Sequence, residues 1–143
     1  MLFRSSSDIA LIAKGRPVLR PEGLLDGYRI RVPMVDVNSI GAGGGSIAWV
    51  DAGGLLKVGP QSAGAFPGPA AYGRGGSKPT VTDANVLLGR IAADRPLGGG
   101  LLQALDAQAA EQAIETHVAR PLGLSTLAAA EAMLTVEIGR AHV

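Results

Sequence analysis

Between Ile40 and Asp51 the chain reads IGAGGGSIAWVD, so four of the five residues from Gly41 to Gly45 are glycine. Glycine loses the most backbone entropy on folding, and such a cluster is retained where side chains would obstruct something. Three uses fit the pattern. Successive N–H groups can form a nest for an anion, a bare main chain can lie flat against a purine, or the loop can be a tight bulged connection. It is not a dinucleotide-binding fingerprint, because Ser46 stands where the third glycine would be and a strand follows instead of a helix. Nor is it a Walker A loop, since no Lys-Ser/Thr pair closes it. Pro60 to Lys78 is a second stretch too rich in glycine and proline for regular structure. Long loops inside compact domains usually carry function, and the embedded Phe66 and Tyr72 argue for an ordered one.

The 143 residues, 47% apolar and 17% charged, suit one globular domain or a piece of a larger one. A net charge of +1 and 3% aromatic content leave no basic face and few stacking rings, which argues against nucleic acid as a partner. No uninterrupted apolar run approaches the ~20 residues of a membrane-spanning helix. Cysteine is absent, which excludes disulfides and thiol chemistry and suits a reducing compartment. The leading stretch carries Asp8 inside its short apolar run, unlike a secretory signal, so a cytoplasmic protein is expected. Leu2-Phe3-Arg4-Ser5 and Ile138-Gly139-Arg140-Ala141-His142-Val143 resemble translated sequencing-adapter ends. Residues 1–5 and 138–143 are therefore expected to be adapter-derived, with 6–137 a fragment of a longer chain and His142 part of no site.

Alternation and turn residues predict two β-hairpins followed by a Gly/Pro-rich loop and three helices. Ser7 to Ala13 reads as a buried strand that turns at Lys14-Gly15-Arg16-Pro17 and returns over Val18 to Arg20. Pro21 to Asp26 reads as loop. Pro33, which has no N–H for a ladder, marks an edge, a bulge or the gap between two strands in the alternating run from Gly27 to Ile40. Ser46 to Val50 and Leu55 to Val58 form the second hairpin around Asp51-Ala52-Gly53-Gly54. The first helix opens at Thr80-Val81-Thr82-Asp83 with Thr82 as its cap. The second is capped by Asp106 and stopped by Pro121; the third is capped by Ser125, and the two form an alanine-rich αα-hairpin. Gly98-Gly99-Gly100 reads as loop.

Four groups besides the glycine loop invite chemistry. Asp83, with Thr80 and Thr82 at a helix start, can orient a water or hold a metal, or simply cap the helix. Asp51 can ligate Mg²⁺ or serve its turn. Arg74, between Gly73 and Gly75, can present a planar fork to a phosphate or lie exposed. His117 has no second His, Cys or acidic ligand at helical spacing and reads as a solvated or half-buried helical histidine. Trp49 reads as a core anchor on which a purine can also stack. No metal-ligating set emerges.

Taken together, the stretch VPMVDVNSIGAGGGSIAWVDAGGLLKVGPQSAGAFPGPAAYGRGGSKPTVTDANVLLGR resembles the hydantoinase A / 5-oxoprolinase family, which includes the related subunit of acetone carboxylases. The resemblance implies an α/β fold, α+β as an isolated piece, within an actin-like ATPase (ribonuclease H-like) domain. It implies ATP with Mg²⁺ as cofactors, a cyclic amide such as hydantoin or 5-oxoproline as substrate, and a hydantoinase B-type subunit as partner. Gly41, Gly43, Gly44, Gly45 and Ser46 would match a nucleotide-contacting loop. Asp8 would match the end of a phosphate loop, Asp83 would be a catalytic-site group, and the piece would be inactive without the remainder of its chain. Relatives commonly place cysteine at Ala71 and an acidic residue at Phe66, so a thiol at the first position is excluded here and a carboxylate role at the second is put in doubt. Alternatives are an acetone-carboxylase-type ATP-dependent subunit and a non-catalytic glycine-rich assembly module.

Overall fold

The computed structural model describes residues 7–95 and 104–141. Within them the chain divides into two compact units, one of Ser7–Ile40 and one beginning at Gly41. The expectations for residues 1–5, Gly98 to Gly100 and His142 lie outside the described residues.

The Ser7–Ile40 unit is built from antiparallel strand pairs. The outermost joins β1 (Ser7–Ala10) to β8 (Val37–Ile40). Inside it, β2 (Ile12–Ala13) pairs with β3 (Arg16–Pro17), and β4 (Leu19–Arg20) pairs with β7 (Met34–Val35). The pair of β5 (Gly23–Leu25) and β6 (Tyr28–Ile30) completes the unit. Lys14-Gly15 and Asp26-Gly27 both carry positive φ, at 53° and 74° and at 50° and 85°. Two left-handed residues in succession match the strand twist, so each pair makes a tight hairpin. The expectation of one hairpin here is thus corrected. Asp26-Gly27 turns the supposed loop into a hairpin of its own, and β1 pairs with β8, not with the stretch Val18 to Arg20. Ser7 to Ala13 is also not one buried strand, for Leu11 and Ile12 are exposed. Pro33 falls in the gap between β6 and β7.

The second unit starts from the hairpin of β9 (Ser46–Val50) and β10 (Leu56–Ser62). Its turn is fastened by Asp51, whose Oδ1 accepts from the Gly53 and Leu55 amides at 3.0 and 2.9 Å. Strand β10 runs past the expected end at Val58, with a register shift between Val58 and Ser62. On the other side of β9, the Ala48 amide donates to the Pro79 carbonyl at 2.9 Å. The Gly/Pro-rich loop is ordered by a single 3-10 turn at Ala70–Tyr72.

Three helical segments cover this hairpin. Helix α1 (Val81–Leu87) is capped by Thr80, not Thr82. Helix α2 (Ala107–Ile114) is capped by Asp106 and passes through a π segment, Glu115–Ala119, into α3 (Arg120–Leu122). Pro121 therefore does not stop the helix. It lacks an N–H and crowds the carbonyl four residues back, a conflict that a widened turn accommodates, and left-handed Gly123 is the actual stop. Helix α4 (Thr126–Ala141) follows at 86° to its predecessor, so the expected αα-hairpin is a near-perpendicular corner. Ala48, Val58, Val81, Ala84, Ile114, Val118, Ala129, Ala130, Met133 and Leu134 form the main core. Its alanines let the helix backbones approach closely. No single helix among the described residues is long and apolar enough to cross a membrane.

Gly76 shows how tightly the loop is folded: a Cβ there would strike the Gly68 carbonyl oxygen and reach within 3.1 Å of that of Pro69. Gly76→Ala is expected to destabilise the protein by about 1–3 kcal/mol, the range for overpacking against atoms that cannot swing aside. Gly53→Ala, whose new methyl meets only the Asp51 carboxylate, is expected to change stability by less than about 1 kcal/mol. Urea denaturation of both variants checks the contrast.

Candidate functional site

The glycine loop enters β9 as a tight turn. The Ser46 amide donates to the Gly43 carbonyl at 2.9 Å, and the Gly43 amide donates to Ser46 Oγ at 3.0 Å. That same amide donates to Glu137 Oε1 at 2.7 Å. The carbonyls of Gly44 and Gly45 accept from the Thr82 and Ala63 amides at 2.8 and 2.9 Å. Gly41 and Gly44 do not adopt the left-handed conformation. What they supply is room. A Cβ on Gly41 would come within 3.2 Å of the Pro60 carbonyl oxygen, and one on Gly44 within 2.8 Å of Thr82 Oγ1.

These contacts bear on what the loop can hold. A phosphate at the Gly43 amide would have to displace a carboxylate already seated there, which argues against an anion nest at that position. Ala42, Gly45 and Ser46 are buried while Gly44 is exposed. The loop therefore suits a planar group laid along bare main chain better than a phosphate gripped by amides.

Asp83 lies at the third position of α1, fully buried. Its Oδ1 accepts from the Ala71 amide at 2.7 Å. Its Oδ2 accepts from the Thr80 amide at 2.7 Å, the Thr80 hydroxyl at 2.8 Å and the Ala70 amide at 3.3 Å. The Thr80 Oγ1 accepts in turn from the Asp83 amide at 3.3 Å, completing a capping box. Burial pushes the carboxyl pKa above its ordinary value, against the opposing pull of the Ala71 amide, the Thr80 hydroxyl and amide, and the Ala70 amide. Both oxygens thus face protein donors, and the carboxylate ties the loop before α1 to the helix start.

Thr82 joins the two features, since its amide holds Gly44 while Asp83 follows it in sequence. Gly41, Gly43, Gly44, Gly45, Ser46 and Asp83 lie in the same unit, the glycine loop linked to the start of α1 by the Thr82 amide, whereas Asp8 sits on β1 in the other unit. Asp51 is occupied by its turn, with the Lys57 ammonium 3.8 Å away. Arg74 is exposed between left-handed Gly73 and Gly75. His117 is exposed on the π segment. Trp49 is not a core anchor: it is 41% exposed, on the face of β9 turned away from the helices. Of the two loop aromatics, Tyr72 packs against the smaller core cluster while Phe66 is exposed. Thr80 was legible as a partner of Asp83, because Thr-x-x-Asp is a capping-box signature. Nothing in the sequence pointed to Glu137, which lies 94 residues from the amide it accepts. Among the described residues no three His or acidic side chains assemble into a cation site.

This combination of glycine turn, hairpin and capped helix is an α/β piece of an ATPase-like domain, as solved structures establish. The crystal structure of ATP-dependent caprolactamase from Pseudomonas jessenii matches with a TM-score of 0.79 and 49% identity, over 94% of this chain and 19% of that one. A nucleotide-free acetone carboxylase structure, from work on ATP-dependent acetone carboxylation, matches with a TM-score of 0.74 and 32% identity, over 92% and 18%. By sequence, caprolactamase subunit alpha from Pseudomonas jessenii is 49% identical over 132 residues, 92% of this chain. The acetophenone carboxylase gamma subunit from Aromatoleum aromaticum is 45% identical over 130 residues, 88% of this chain and 17% of its own length. The hydantoinase/oxoprolinase family model matches residues 5–140, and the chain belongs to that family. It spans about a fifth of the caprolactamase subunit, 19% of its length.

Asp83→Asn places a donor among the four donors that now converge on the carboxylate. It is expected to lower stability by about 2–4 kcal/mol at neutral pH. Because the folded-state pKa is raised, Asp83 binds a proton more readily in the folded chain than in the unfolded one. Its contribution therefore grows as pH falls through the raised folded value towards the ordinary 3.8. The gap between wild type and Asp83→Asn should widen over that window, which urea denaturation at stepped pH measures.

Proposed function

We propose that this chain is a segment of an ATP-dependent enzyme that opens a cyclic amide, of the hydantoin, 5-oxoproline or lactam class, and that it forms one wall of the nucleotide cleft. The observation that carries the reading is the fold shared, at near half identity, with a caprolactamase named as ATP-dependent. When bound, ATP supplies phosphoryl transfer to an amide or carbonyl oxygen, with Mg²⁺ spreading the developing charge. The chain's own contribution is positional. Exposed Gly44 offers a flat main-chain surface to the nucleoside side of the ligand. Gly41, Gly43, Gly45 and Ser46 hold that surface in place, and Asp83 acts behind it by fixing the start of α1. Asp8 on β1 is proposed to contact phosphate in the full-length protein.

A second reading, a subunit of an ATP-dependent ketone carboxylase, is supported by the likeness to the acetone and acetophenone enzymes. Both sequence relatives carry the word subunit in their names, which supports a partner subunit, and the type proposed is hydantoinase B. The experiment is phosphate release by the full-length protein with ATP and Mg²⁺, offered hydantoin, 5-oxoproline, caprolactam, or acetone with bicarbonate. Amide-dependent release with ring opening is expected, and the 143-residue chain alone is expected to show none. Release with acetone and bicarbonate alone would favour the carboxylase. Turnover by the isolated chain would overturn the proposal that it is one wall of a larger site.

A further inference from the structure

A cavity of about 270 Å³ opens between the loop carrying Ala70 and Ser77 and one face of the helix running from α2 into the π segment. Its inner side is apolar, formed by the buried Ala70 and Ala113. Its rim is polar, formed by the Ser77 and Thr116 hydroxyls, the Gln112 carboxamide and the His117 imidazole. Gln112 with Thr116, and Ala113 with His117, stand four residues apart, so their side chains are aligned along one face. Thr116 and His117 belong to the π segment, a rare widened turn that is found frequently at functional sites.

The lining chemistry selects a ligand class. No Asp, Glu, Lys or Arg lines the cavity, so a cation would shed water without meeting a carboxylate, and an anion would meet no charged group other than the His117 imidazole. The hydroxyls and the carboxamide each both donate and accept. An apolar floor under a rim of paired donors and acceptors suits a small neutral molecule with a hydrocarbon body and one amide edge. The volume is close to the lower bound for small-ligand sites.

We infer that this cavity is a binding site for a small uncharged amide of the lactam class, its N–H and C=O met by Gln112 and the flanking hydroxyls and its methylenes resting on Ala70 and Ala113. The choice of a lactam over other neutral amides rests on the function proposed above, while the geometry of the cavity does not. Gln112 and Thr116 are exposed and outside the core, so substituting them should leave the fold intact.

The test is saturation-transfer NMR of the full-length protein with 2-piperidone as the lactam and glycerol as a hydroxyl-only competitor. Wild type should bind 2-piperidone in preference to glycerol. Gln112→Leu should weaken lactam binding about fivefold to tenfold, the loss of one net hydrogen bond, and Gln112→Asn should recover part of it. Thr116→Trp should abolish it by filling the cavity. All three variants should keep the parent melting temperature and affinity for ATP. A wild-type protein that ignores 2-piperidone, equal binding by all variants, or a preference for glycerol would each overturn the inference. Phosphate release is read separately, so a protein that binds the lactam here yet never consumes ATP would sink the proposed function and leave this site standing.

Discussion

The buried carboxylate of Asp83 ties the Gly/Pro-rich loop of the second unit to the start of α1. Asp83 is withdrawn from water and compensated by three amides and a hydroxyl, drawn from both sides of the Gly/Pro-rich loop's end. A buried carboxylate is tolerated only when its lone pairs are met this fully. The arrangement fixes where the Ala70–Tyr72 turn sits relative to α1. It also sets the direction from which the Thr82 amide reaches the Gly44 carbonyl. Remove the carboxylate, and two stretches of chain lose their common anchor.

The glycine loop is the dependent partner in this arrangement. Its bare main chain is explained first by neighbours in its own fold, namely the Pro60 carbonyl and the Thr82 hydroxyl. A role toward a nucleotide is compatible with that explanation through the exposed Gly44 alone. The protein wall and the proposed ligand surface are thus opposite sides of the same few residues, and packing on one side preorganises the other.

Much of this was legible in the sequence, and the failures have identifiable causes. Asp51 before Gly-Gly, Pro33 between strands, and Asp106 and Ser125 before helices were local signals, and local geometry decided them. Adjacency to Asp83 points to Thr82 as the cap, yet the reciprocal spacing of a capping box selects Thr80. The Asp26-Gly27 turn leaves little local signal because the strands it joins are only three residues each. Trp49 reads as a core anchor, but strand alternation and the side on which the helices lie turn it outward. Pro121 signals a stop because a regular helix cannot contain it, and a π segment is not foreseeable from propensity. The pairing of β1 with β8 and the reach of Glu137 to Gly43 are long-range, and no local pattern encodes them.

The central claim is that Asp83 holds the loop amides, and hydrogen exchange at those amides tests it most directly. The account predicts that the Ala70, Ala71 and Thr80 amides exchange as slowly as that of Val118 in the helical core. If they exchange at the rate of the amide of exposed Gly75, the carboxylate does not hold the loop, and the account is contradicted.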